Sequence, residues 1–291
     1  MKLWNFSKRF SRVAEAWMKQ NAGKYKAEEL EERLPDLYMR WLNTPAAWLD
    51  GDAPATYFNR FDDAEALVAM VDEYCRANIA VPDPLFDRIV ALGAPAARAL
   101  TAVLMDSGAQ EKSRELAGSM LVEIGEGLPL EACVALIADT DAPESVKEQA
   151  VAILRSAGRD AEPLLLAAMD GAAEAARCAY LDVLIDCSVD PRLFDWAMYG
   201  LRNQPDRREV YVSFLLRLGD ERAIEPMQQM LRMTDLRYLD FVELSNAIES
   251  LGGEVTVHRE FAGDADYEQL RMRPDDDSDE ETADAPRSPQ S

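Results

Sequence analysis

LGDERAIEPMQQML, Leu218 to Leu231, decides how the rest of this chain is read. A Leu-Gly-Asp turn leads into a helix with Pro226 in its first turns and apolar residues at Ile224, Met227, Met230 and Leu231. The fifteen residues before it have helical periodicity and end on the same Gly219. Together they form one helix-turn-helix unit.

Working outward, the same helix-ending small residue falls at Gly93, Gly125, Gly158, Ser188, Gly219 and Gly252, at intervals of 32, 33, 30, 31 and 33. Four residues before each stop sits an aliphatic side chain: Ile89, Leu121, Leu154, Leu184, Leu215 and Ile248. That position is one helical turn from the end, where a side chain seats against the partner helix. Eleven residues before four of the stops comes a cation, Arg114, Lys147, Arg177 or Arg208. A cation near a helix start opposes the macrodipole and requires a partner. The acids of the preceding turns supply candidates, and the spacing predicts a ladder with Arg114 on Asp106 and Arg177 on Asp170. Asp139 or Asp141 would serve Lys147, and Asn203 or Asp206 would serve Arg208.

At this point a resemblance can be named. Residues 82–253 resemble the short HEAT-like repeats of phycobilin lyase subunits and many bacterial proteins, with Leu218–Leu231 and SAGRDAEPLLLAAM, Ser156 to Met169, carrying the likeness. Neither the W-x-x-L-G-x-x-Y of tetratricopeptide arrays nor the T-P-L-H of ankyrin arrays is present. The resemblance implies an all-α right-handed α-solenoid with about five to six helix pairs between residues 62 and 252. It also implies a habit of binding other macromolecules, and little about chemistry.

The remaining domains are read as follows. Residues 1–26 carry seven Lys or Arg against Glu15 alone, a net of +6, with Leu3, Phe6, Phe10, Val13 and Trp17 on one helical face. They are expected to form a basic amphipathic helix packed on its own solenoid. Trp4, Phe6, Phe10 and Trp17 would supply burial there, and Lys8, Arg9 and Arg12 steering toward acidic neighbours. Residues 27–81 are expected to form a helical N-terminal cap around WLNTPAAWLDGDAPATYF, where Pro45, Gly51 and Pro54 force turns. The spacing of Thr44, Pro45, Leu49, Gly51 and Pro54 is similar to a turn in the toxin-binding domain of some bacterial antitoxins. That domain usually has two glycines where this chain has Asp50 and Gly51. In residues 254–291, EVTVHREF alternates as a short strand or extended edge would, and disorder is expected from about residue 264. Ten acids stand there against three arginines, among them the DDDSDEE run from Asp275 to Glu281.

Composition narrows function by exclusion. With 54 acidic against 31 basic residues the chain carries −23, which repels nucleic-acid phosphate, so no nucleic acid is expected as a partner. Cys75, Cys133, Cys178 and Cys187 have no metal-ligand spacing and are read as reduced core thiols, and His258 is the single histidine. There is no GxGxxG, P-loop, HExxH or GxSxG. No metal and no cofactor are therefore expected. The N-terminus lacks a secretory pattern and no apolar run approaches a membrane span, which points to the cytoplasm. The chain is expected to be a non-catalytic protein-protein interaction scaffold or adaptor, not an enzyme. The alternatives are a lyase-type or chaperone-like enzyme subunit related to phycobilin lyases, and an antitoxin-like or membrane-linked regulator touching the membrane through residues 1–26.

The partner is placed on the second helix of each unit. Positions two, six and ten before the stop share a face and are repeatedly polar: Glu115, Ser119, Glu123, Glu148, Ser156, Asp182, Asp186, Glu209, Ser213, Arg217, Asn246 and Ser250. In such solenoids the second helices line the concave surface, which makes this an acidic stripe suited to a basic protein partner.

Overall fold

The computed structural model describes residues 2–271. Among them the chain forms sixteen α-helices and no β-strand. In order they are α1 (Phe6–Asn21), α2 (Ala27–Glu32), α3 (Leu34–Leu42), α4 (Ala64–Arg76), α5 (Asp83–Ala91), α6 (Ala94–Met105), α7 (Glu111–Ile124) and α8 (Leu130–Ala138). Then follow α9 (Glu144–Ala157), α10 (Glu162–Met169), α11 (Glu174–Cys187), α12 (Arg192–Asn203), α13 (Arg208–Leu218), α14 (Ile224–Met230), α15 (Tyr238–Ser250) and α16 (Ala265–Arg271). Two 3₁₀ turns, Ala47–Leu49 and Pro54–Arg60, lie between α3 and α4. No single described helix is long and apolar enough to cross a membrane.

From α4 to α15 the helices come as six consecutive pairs, and each of the six small residues falls at the end of the second member. Gly125 and Gly219 are left-handed caps, with φ 69° and 63°, that return their N–H to Leu121 and Leu215. Ser188 closes α11 in an extended conformation, so the small residue there needs no positive φ. The six aliphatic positions four residues before the stops are all fully buried, at 0% exposure. One turn from a helix end, each is held between helices and anchors its pair to the core.

The chain divides into two compact units, Met1–Ser188 and Val189–Ser291. In the first, second helices pack on second helices: α7 touches α5 and α9, and α9 touches α11. First helices do likewise, α4 on α6 and α8 on α10. Close approach of α7 and α9 depends on Gly118, where a Cβ would lie 2.5 Å from that of Gln149. In the second unit α13 packs on α12 and α15, α14 on α15, and α16 on α15.

The segment before α4 is built on aromatic contacts. Trp4 joins the first unit through Tyr74, whose hydroxyl accepts from the Trp4 amide at 3.1 Å and donates to its carbonyl at 3.0 Å. Phe6 is buried between Trp41, Trp48 and Phe58. Asn5 caps α1 by accepting from the Lys8 amide. In the turn that follows, Asp50 (φ 60°) and Gly51 (φ 96°) adopt positive φ in succession. Gly51 takes this conformation without a Cβ, whereas Asp50 holds it as a non-glycine residue.

Three expectations are corrected. The cations eleven before the stops do not pair with the turn acids. Arg114 donates to the Leu104 carbonyl at 2.8 Å, Arg177 to the Ala172 carbonyl and Glu174, and Arg208 to Asp240. Asp106 instead accepts from the amide of Gly108. For Arg114 the physical reason lies in α6, whose last carbonyls are orphaned at the negative end of its macrodipole and accept from a cation in the next helix, whereas Ala172 lies in the turn after α10 and Asp240 on α15. Second, of the short strand or extended edge expected over residues 254–261, the strand does not form. These residues run across the second unit, tied by Gln228 to the Glu254 carbonyl and by buried Phe261 against Tyr238 and Phe241. Third, order continues past residue 264. The Asp264 carboxylate accepts from the amides of Tyr238, Asp266 and Tyr267, which starts α16 and fastens it to α15. The acidic run Asp275–Glu281 lies outside the described residues.

Candidate functional site

The acidic stripe lies on the second helices, and the first unit brings its members from α7, α9 and α11 into one row. Ser119 on α7 reaches Gln149 on α9 at 3.2 Å, and Ser145 on α9 donates to Glu111 on α7. Arg155 on α9 bridges Asp182 and Asp186 on α11, at 2.6 and 3.5 Å. The sequence offers no reason to single out Arg155 alone, but a cation facing two like charges one turn apart relieves their repulsion. Lys112 pairs with Glu115 at 3.0 Å and, with Ser145, holds that carboxyl below its ordinary range. Glu123 and Glu148 are exposed, and among the described residues no ion pair engages either. Glu209, Ser213 and Arg217 lie exposed on α13 in the second unit, Arg217 over the Phe214 ring, and Asn246 and Ser250 lie exposed on α15.

The structure extends the stripe by one helix. Asp83 and Asp87 on α5 stand ten and six residues before Gly93, the offsets that define the stripe elsewhere, and both are exposed. They were legible by the same count. Burial, with repulsion from Asp83 and from Glu123 on α7, raises the Asp87 carboxyl above its usual range. Carboxylates of neighbouring helices therefore sense one another here without a cation between them.

Two cavities open on these elements. A groove of about 310 Å³ between α9 and α11 is floored by Val151, Ala175 and Ala179 and edged by Lys147, Glu148 and Arg155. It exists because α11 presents alanines toward α9, where the α7–α9 contact is filled by Gln149 against Gly118. The other, about 330 Å³, lies among α1, α3 and the start of α5, walled by Phe6, Phe10 and Tyr38 with Asp83 at its rim.

The N-terminal residues divide by environment. Phe6 is buried, Trp4, Arg9, Phe10 and Trp17 are half-buried, and Lys8 and Arg12 are exposed. Arg9 does not reach an acid, lying 4.1 Å over the Trp48 ring and 5.0 Å over Trp4. The expectation of acidic neighbours for Arg9 is thus replaced by stacking, since the residues that α1 packs against are aromatic.

No protein-family model matches the chain, and no curated protein matches it. Among the described residues no group of three or more His, Cys, Asp or Glu is placed to hold a metal ion. Among the described residues no disulfide joins Cys75, Cys133, Cys178 or Cys187, and burial pushes Cys133 up to about 12, far from the thiolate a nucleophile needs.

Proposed function

We propose that this chain is a non-catalytic scaffold built as a right-handed HEAT-like α-solenoid, which holds a basic protein partner along the face formed by its second helices. The observation that carries the reading is the row α5, α7, α9, α11, each packed on the next, with Asp87, Glu123 and Glu148 exposed along it. Internal cations answer Glu115, Asp182 and Asp186, while these three carboxylates are left to solvent. Carboxylates left unpaired on such a face favour a partner of opposite sign and speed encounter with it. They repel a nucleic-acid backbone.

The test is capture from the source cell by purified protein, wild type against the triple variant Asp87→Lys, Glu123→Lys, Glu148→Lys. Loss of the captured partner with an unchanged thermal midpoint is the expected result. Capture that survives the reversal would remove the face from the proposal, and turnover of a tetrapyrrole would replace the scaffold with a lyase.

A further inference from the structure

We propose that the pocket among α1, α3 and the start of α5 receives an arginine side chain of a protein partner, an inference that rests on the scaffold reading and gives it a first point of specificity.

Phe6, Phe10 and Tyr38 form the pocket's aromatic part, beside Ser7, Ser11, Val81 and Pro82. The Phe10 and Tyr38 rings meet edge to face at 4.8 Å, and Tyr38 stacks on Trp41 at 5.8 Å. Their faces carry the negative end of the ring quadrupole, which attracts a cation placed over them. The Tyr38 hydroxyl donates to Asp83 Oδ2 at 2.9 Å, so the ring is fixed by the same carboxylate that lies at the rim. That bond leaves Asp83 with acceptor capacity to spare.

The surroundings show what these faces take elsewhere. Arg9 covers Trp48 at 4.1 Å, Arg33 covers Tyr25 at 4.3 Å and Arg60 covers Tyr57 at 4.3 Å. Among the described residues no cation lies over Phe10, Tyr38 or Trp41, and none pairs with Asp83. Asp87, one turn along α5, stands close enough to add to the raised pKa of the Tyr38 hydroxyl, after burial and Asp83. A volume of about 330 Å³ admits one long side chain and excludes a docking helix. A guanidinium suits it better than an ammonium, because its plane stacks on a ring while its edge meets a carboxylate with two parallel N–H donors. Since α1 supplies a wall, the docked N-terminal helix belongs to the site.

The probe is a fluorescein-labelled peptide of four Gly-Ala-Arg repeats, titrated by anisotropy at low salt, with lysine and citrulline versions beside it. The arginine peptide should bind, the lysine version several-fold more weakly, and the citrulline version at least about tenfold more weakly. Asp83→Asn, Tyr38→Leu and Phe10→Leu should each weaken the arginine peptide about tenfold. Near-ultraviolet circular dichroism reports whether the cap stays folded. Should Tyr38→Leu or Phe10→Leu unfold it, Asp83→Asn at an exposed position decides the matter. Wild-type affinity in folded pocket variants overturns the pocket, whatever happens to the stripe. If Glu148→Lys, on α9 and outside the pocket lining, binds the peptide as wild type while the pocket variants are weak, the pocket stands without the wider face. No binding to the wild type overturns the pocket and leaves the wider face to the capture experiment. Arginine amide, titrated as competitor, should be far weaker than the peptide, and equal affinity would overturn the assignment to a protein partner.

Discussion

Gly200 offers the sharpest test of how α12 and α13 meet, because two physical effects of known size oppose each other there. Gly200 lies buried within α12, where alanine is the better helix former by about 1 kcal/mol. On that ground Gly200→Ala should stabilise. The structure reverses the sign, since a Cβ at this position would stand 2.1 Å from Cε1 and 2.2 Å from Cζ of Tyr211. Ordinary carbon contacts are about 3.5–4.0 Å, so the ring would have to retreat by well over 1 Å. Tyr211 is 1% exposed and rigid, with Phe214 edge-on at 5.7 Å, so the strain belongs at the upper end of overpacking costs, about 3 kcal/mol. The net expectation is a loss of about 2 kcal/mol, or about 1 M in urea midpoint followed by far-ultraviolet circular dichroism. Tyr211→Ala alone should cost about 3–5 kcal/mol. On that background Gly200→Ala should turn stabilising by about 1 kcal/mol, because the clash is gone and only propensity remains. The same sign in both backgrounds would refute the close approach and the α12–α13 packing with it.

Leu121→Ala should cost about 2–5 kcal/mol in denaturant unfolding, whereas Glu123→Ala two residues on should change stability by less than about 0.5 kcal/mol. Equal effects would deny the division between a buried anchor and an exposed stripe. Asp50→Gly should stabilise by about 0.5–1 kcal/mol in the same measurement, since position 50 is left-handed, and a loss would mean that its carboxylate matters more than its backbone. Amide bonds from Tyr238 and then Tyr267 depress the Asp264 carboxyl in the folded chain. Its contribution is therefore complete above the unfolded carboxylate range, near 3.9, and is lost as pH falls through the lower folded value. Exchange protection of the Tyr238 and Tyr267 amides should hold at neutral pH and fail in acid, and Asp264→Ala should expose both even at neutral pH.

What could be read from the sequence follows from what a periodic pattern encodes. A glycine that ends a helix and an aliphatic one turn before it depend on local geometry alone, so Gly125 with Leu121 and Gly219 with Leu215 were visible as pairs. A long cation has reach, and its partner is chosen in three dimensions. The counts located Arg114 and Arg177, but their bonds run to carbonyls, which one sequence writes identically at every residue. Arg155 was missed for a related reason, as its two partners lie on the next pair, and charge alternation along α9 does not identify them. The stripe on α5 was a shorter failure, because the offsets that found Glu115 and Glu123 also reach Asp83 and Asp87. Residues 265–271 were read as disordered from composition, which cannot register a single carboxylate that gathers three amides.

The fate of the N-terminal cations bears on why the stripe remains acidic. A segment of net +6 in a chain of −23 could have neutralised the second helices from within, and then no basic partner would gain by binding. Instead Lys2 and Arg9 spend their charge over Trp4 and Trp48, at 3.7 and 4.1 Å, and Lys8 and Arg12 point to solvent. Stacking on indole keeps the Arg9 guanidinium half-buried without requiring a carboxylate. The arrangement separates two roles that charge alone would have merged. Aromatic burial fastens α1 to the cap by contacts that salt does not screen, whereas the partner capture proposed for the stripe would weaken as salt shortens the reach of its field. Raising salt toward molar should therefore strip a bound basic peptide while Trp4 emission stays blue, and a red shift that accompanies release would mean that charge holds the helix as well.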